Sequence, residues 1–115
     1  MNSRDPETNQ KAFENSYTFL FVFDDERLVG FGRAISDGVC QAALYDVAVR
    51  PEYQGKGVGT MIVDRLTEKC PGCSIILYAT PGKEPFYEKL HFKRMKTGMA
   101  LFSNAERMRE RGFTD

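Results

Sequence analysis

The hydrophobic period of this chain changes at Pro51, and few folds can accommodate the change. Up to Val49 the pattern is that of strands. After Pro51, Val58, Met61, Ile62, Leu66 and Cys70 recur at helical spacing, with Asp64, Arg65, Glu68 and Lys69 on the opposite face. Gly72 stops that helix. Ser74 to Ala79 follows as a continuous apolar run, as in a strand buried on both faces. Strand, helix and strand in succession predict a parallel pair joined by a right-handed crossover.

Upstream, Tyr17–Phe23, Leu28–Ile35 and the run from Ala42 to Val49 are rich in aromatic and β-branched residues. Asp24–Arg27 and Ser36-Asp37-Gly38 are short polar turns between them, which predicts an antiparallel meander. Gly30 and Gly32 inside the second run predict a bulge or a close backbone neighbour. Lys11 to Ser16 reads as the close of a short helix, and residues 1–10 as a polar segment, frayed or partly ordered. Downstream, Pro85–Leu90 reads as a short helix. His91–Met95 and Gly98–Phe102 read as two closing strands, and Ser103-Asn104 as the cap of a last helix, Ala105–Arg111. The expected architecture is α+β (mixed α/β), a mixed and mostly antiparallel sheet with one parallel pair. At 115 residues the chain is expected to be a single domain, 1–115, with residues 1–16 a polar N-terminal segment.

Composition removes several classes of function. Lys plus Arg equals Asp plus Glu at 16 each, so the general cationic surface of a nucleic-acid binder is absent. No apolar run reaches membrane-spanning length, and MNSRDPETNQ has no apolar signal core. The expectation is a cytoplasmic protein with no nucleic-acid or membrane partner. Cys40, Cys70 and Cys73 read as free thiols rather than a disulfide framework. Cys70-Pro71-Gly72-Cys73 has the C-x-x-C spacing but closes a helix instead of opening one, so it reads as a turn. His91 is the only histidine, and no metal is expected.

Between the strand and the crossover helix lies Gln54-Gly55-Lys56-Gly57-Val58-Gly59-Thr60. The first amides of a helix have no intrahelical acceptor, and the helix dipole adds positive potential there. Glycines let several such amides point at one anion, which suits a phosphate or pyrophosphate, with Lys56 adding charge at the rim. The alternative is a tight turn that needs only close helix–strand contact. Neither the P-loop pattern nor the dinucleotide G-x-G-x-x-G is met, since the glycines alternate as G-x-G-x-G.

The longer stretch DVAVRPEYQGKGVGTMIVDRL resembles the acyl-CoA-binding motif of the GNAT N-acetyltransferase superfamily, whose core is [RQ]-x-x-G-x-[GA]. PFYEKLHF, Pro85 to Phe92, resembles that family's later FYxKxGF segment. Together the matches span Leu44 to Phe102, about half the chain. The resemblance implies a parallel strand pair that splays apart around acetyl-CoA, with no metal. It implies that Val47, Ala48 and Val49 offer backbone groups to the pantetheine arm and the acyl oxygen. Gln54, Gly55, Lys56, Gly57, Val58, Gly59 and Thr60 would then hold the pyrophosphate.

The activity so implied is direct transfer of an acetyl group from acetyl-CoA to a primary amine of a small molecule or protein. Tyr87 matches the tyrosine that protonates the departing thiolate; its other reading is a core-edge phenol with a satisfied hydroxyl. Asp46 reads either as the base that takes the amine proton or as a carboxylate held by a neighbouring strand. By strand alternation its side chain is expected on the face opposite Tyr45 and Val47. His91 stands where the family has a glycine that serves a left-handed helix cap, and reads as a structural variation. The family's usual strand and two helices before the meander look shortened here. A truncated chain, a partner completing the sheet and a reduced pocket all fit that. An unpaired Tyr17–Phe23 edge would favour a homodimer. The alternative function is a non-catalytic acyl-CoA-binding or regulatory module.

Overall fold

A computed structural model describes residues 4–115. They form two compact units that divide between Leu77 and Tyr78.

The first unit opens with helix α1, Pro6–Glu14. It starts earlier than Lys11 because Asp5 caps it: the carboxylate accepts from the Thr8 N–H at 2.8 Å, and Pro6 presets the first turn. Three strands follow as an antiparallel meander: β1 (Thr18–Asp24), β2 (Arg27–Ser36) and β3 (Gln41–Val49). A single 3-10 turn, Pro51–Tyr53, leads to helix α2, Val58–Glu68. Strand β4, Ser74–Ile76, then pairs with β3 in parallel, so the sheet order is β1-β2-β3-β4.

Two helices cover opposite faces of the meander. Phe13 of α1 stacks on Phe21 (ring centroids 5.5 Å apart) and meets Phe19 and Phe31 edge-on. On the other face, Ile62, Val63 and Leu66 of α2 are fully buried with Ala34, Ala42 and Leu44. Gly32 sets how closely α2 approaches: a Cβ there would lie 2.9 Å from Ile62 Cγ2 and 3.1 Å from Leu66 Cδ1. Opposite Gly32 the ladder slips. Phe31 pairs with Ala48 but Arg33 pairs with Tyr45, so Asp46 and Val47 together face one β2 residue. That is a β-bulge, with Asp46 in the left-handed region at φ +56°. Val47 turns to the α2 face beside Gly32, and Asp46 turns to the α1 face, where it meets Arg33, so the two lie on opposite faces as alternation predicts. The bulge breaks the alternation between Tyr45 and Asp46, which share the α1 face around Arg33. α1 leaves part of its face open, an apolar hollow of about 500 Å³ lined by Phe13, Phe19, Phe21, Leu28 and Phe31.

The second unit carries helices α3 (Glu84–Lys89) and α4 (Ala105–Glu110). Tyr78, Phe102 and Phe113 pack edge-to-face around one another, and Phe86, Tyr87 and Phe92 form a second aromatic group.

Three expectations need correction. β4 ends at Ile76 rather than Ala79, and the two closing strands over 91–95 and 98–102 do not form. Apolar strand-like composition needs a partner ladder to become a strand. Among the described residues none is supplied, and Met99 and Leu101 stay fully exposed.

Candidate active site

The β3–β4 ladder is short. Gln41 pairs with Ser74, Ala42 with Ile75 and Ala43 with Ile76; beyond that, Leu44 to Val49 have no strand partner on the β4 side among the described residues. The Arg50 N–H donates to the Val29 carbonyl at 2.8 Å, so the preceding residue, Val49, points its backbone groups away from β2. Gln54 takes up one of them, its Nε2 donating to the Val49 carbonyl at 2.9 Å. This bond ties the glycine loop to the end of β3.

The loop is fixed from below. Tyr53 donates its hydroxyl to Asp24, Arg27 pairs with Glu52, and Arg50 Nε donates to the Leu28 carbonyl at 2.7 Å. All three join the 3-10 turn and its flanks to the β1–β2 hairpin. Lys56 lies with its ammonium 5.6 Å from the Tyr53 ring centroid, over the aromatic face.

Above this base the backbone turns twice through the left-handed region, at Gly55 (φ +78°) and at Gly57 (φ +87°), the residue that precedes α2. A Cβ at either position would meet nothing within 4 Å. The glycines are thus required by conformation, and the space over them is open. No side chain caps α2. The first amide there to find a backbone acceptor is that of Met61, bonded to the Gly57 carbonyl at 3.0 Å. The amides of Gly55, Lys56, Gly57, Val58, Gly59 and Thr60 have no acceptor among the described residues. A run of unanswered donors at the positive end of an 11-residue helix fits a pyrophosphate.

Asp46 is the most heavily engaged side chain on β3. Its Oδ2 accepts from Arg33 Nε at 2.8 Å and its Oδ1 from Arg4 Nη2 at 2.6 Å. Arg33 is itself buried, lies near the faces of Phe13 and Tyr45, and also reaches Ser16 Oγ at 3.3 Å. Partial burial pushes the Asp46 pKa up, but the hydrogen bonds and charges of Arg4 and Arg33 outweigh it, and the net shift is downward. A carboxylate so held is a weak proton acceptor.

Tyr87 is fixed by the end of α3. The Phe92 N–H donates to the Tyr87 carbonyl and the His91 N–H to that of Glu88, both at 3.1 Å, with His91 at φ +75°. These two bonds make a Schellman motif, with histidine in the glycine place. The Tyr87 and Phe92 rings meet edge-on at 5.8 Å, the apolar contact that accompanies such a motif. Burial pushes the Tyr87 hydroxyl above its ordinary value of 10, so it keeps its proton at neutral pH.

Of the expected site residues, the structure gathers Val47 to Val49 and Gln54 to Thr60 at one end of the first unit and places Tyr87 in the second. Sequence reasoning did not name Arg4 and Arg33 as partners of Asp46.

Comparison with known proteins bears on the family and the fold. Residues 2–92 match the model of the acetyltransferase (GNAT) family. The chain is 35% identical over 95 residues to an uncharacterized N-acetyltransferase, ycf52, of Pyropia yezoensis, covering 76% of this chain and 55% of that protein. It is 36% identical over 94 residues to the chloroplastic GCN5-related N-acetyltransferase 1 of Arabidopsis thaliana, 77% of this chain and 48% of that one. A probable acetyltransferase from meticillin-resistant Staphylococcus aureus superposes with a TM-score of 0.78 at 25% identity, covering 89% of this chain and 83% of that one. The chain spans about half the length of the curated relatives it matches. With the family matched along most of its residues, the chain belongs to the GNAT acetyltransferases.

Proposed function

We propose that the chain transfers an acetyl group from acetyl-CoA directly to a primary amine of a small molecule or protein. The observation that carries this is the row of unanswered amides from Gly55 to Thr60, beside the stretch of β3 that runs on past the end of the β4 ladder. Those amides hold the pyrophosphate, with Lys56 at the rim. The free edge of β3 from Val47 to Val49 pairs with the pantetheine arm, and a backbone N–H in that segment donates to the oxyanion. Acetyl-CoA supplies the acetyl group as an activated thioester.

By the resemblance of Pro85 to Phe92 to the family's later segment, Tyr87 is the residue that donates a hydrogen bond to the departing sulfur. Its raised pKa keeps the hydroxyl protonated for that task and makes it a hydrogen-bond donor more than a strong acid. Asp46 holds the bulge instead of serving as base, because both of its oxygens are engaged by guanidinium groups. The amine therefore arrives neutral or loses its proton to water.

A second reading, an acyl-CoA-binding module without turnover, is favoured by the closing strands that do not form. Thiol release from acetyl-CoA, followed across a panel of primary amines, separates the two. Amine-dependent release supports the transferase. Binding of acetyl-CoA with no release for any amine supports the module, and stabilisation by ATP alone removes both.

A further inference from the structure

All three cysteines of the chain meet at one end of the sheet, and acyl transfer uses none of them. Cys40 immediately precedes β3, and Cys73 immediately precedes β4. The parallel ladder begins with Gln41 opposite Ser74, and the Ser74 N–H donates to the Cys40 carbonyl at 2.9 Å. Neighbouring strands lie ~4.8 Å apart. The Cα atoms of Cys40 and Cys73 thus fall within the roughly 4.4–6.8 Å that a disulfide spans. The Cys73 N–H donates to the Cys70 carbonyl at 3.2 Å, which closes the Pro71-Gly72 turn and brings the third thiol alongside. Cys40 is exposed, Cys73 half-buried and Cys70 buried. Among the described residues no group of three His, Cys, Asp or Glu is placed to hold a metal. The juxtaposition suits sulfur–sulfur chemistry.

We propose that Cys40 and Cys73 are a reversible disulfide site, formed by exchange with a small disulfide of the oxidised-glutathione type. The Cys40 thiolate attacks one glutathione sulfur; a mixed disulfide forms and one glutathione leaves as thiolate, then takes a proton. The Cys73 thiolate attacks Cys40 Sγ, the protein disulfide forms, and the second glutathione leaves. Both cysteines are oxidised and one glutathione disulfide is reduced to two thiols, so protons and electrons balance. Asp37 restrains the first step. Cys40 Sγ donates to its Oδ2 at 3.2 Å, and that hydrogen bond, with the negative charge, disfavours the nucleophilic thiolate. The product bond would sit directly beneath the three paired positions that hold β3 to β4, pinning the base from which the strands part.

The test is incubation of the reduced full chain with oxidised glutathione, followed by alkylation and peptide mass mapping. The expected product is a Cys40–Cys73 bridge with a mass loss of ~2 Da, reversed by dithiothreitol. Cys70→Ala keeps the bridge. Cys73→Ser retains glutathione on Cys40, and Asp37→Asn, which can still accept the backbone bonds of the turn, speeds bridge formation. A Cys70–Cys73 bridge as sole product overturns the assignment. So does glutathione persisting on Cys40 with Cys73 intact, or three thiols that all remain alkylatable. The readout is mass, so it stands or falls separately from acyl transfer.

Discussion

Asp46 occupies a left-handed backbone conformation that aspartate and asparagine tolerate better than most side chains. Asp46→Asn therefore keeps the bulge geometry while removing the charge that answers Arg33 and Arg4. Removing one side of this part-buried, charge-assisted clamp costs about 1–2 kcal/mol, read as a lowered Tm at neutral pH. The sign of the pH dependence follows from a depressed pKa. The stabilisation from Asp46 is present in full above the ordinary value of 3.8 and fades as pH falls through the lower folded value. The stability gap between wild type and Asp46→Asn should thus be constant above that value and shrink below it. A gap that grows on acidification would contradict the clamp. His91, at φ +75°, lacks this tolerance in the same degree, and His91→Gly should add about 1 kcal/mol by relieving the αL strain of the cap. Unfolding by urea would show it as a higher midpoint. At Tyr87 the prediction concerns rate: Tyr87→Phe lowers kcat about 10²-fold with KM for acetyl-CoA unchanged. Steady-state kinetics with any accepted amine decides it, and an unchanged kcat across pH removes Tyr87 from the mechanism.

The elements show which parts of the fold are written locally. The meander, the crossover helix and the glycine loop were legible because turn residues and hydrophobic period act over a few positions. The helix-ending role of the residue at His91 was legible for the same reason. The Asp46 clamp was not, since its partners lie 13 and 42 residues away in sequence and meet only once the sheet forms. The bulge was half legible: Gly32 announced a close neighbour, but only the packing of α2 shows that Ile62 and Leu66 are that neighbour. The start of α2 is where element and function coincide. Gly57→Ala should cost about 1–2 kcal/mol, because an alanine there has room for its Cβ yet must hold φ +87°. It should also weaken acetyl-CoA binding, measured by calorimetry, as the amides lose their aim. Unchanged affinity with reduced stability would leave Gly57 a purely structural residue.

On the scale of the whole molecule, the closing segment fared worst in the sequence. Residues 91–102 have strand-like composition, yet propensity in a sheet is mostly the fit of a side chain to neighbouring strands. With no ladder to join, Met99 and Leu101 face solvent. The candidate pyrophosphate grip, by contrast, rests on parts that the first unit builds by itself: a short β3–β4 ladder, a loop tied to the β1–β2 hairpin, and an uncapped helix. Hydrogen exchange of the backbone amides from Gly55 to Thr60, with and without saturating acetyl-CoA, tests that arrangement at its own atoms. These protons should exchange rapidly in the free chain, where they have no internal acceptor, and slow sharply when acetyl-CoA is bound. Amides already protected without it, or still fast in a saturated complex, would contradict the proposed pyrophosphate grip.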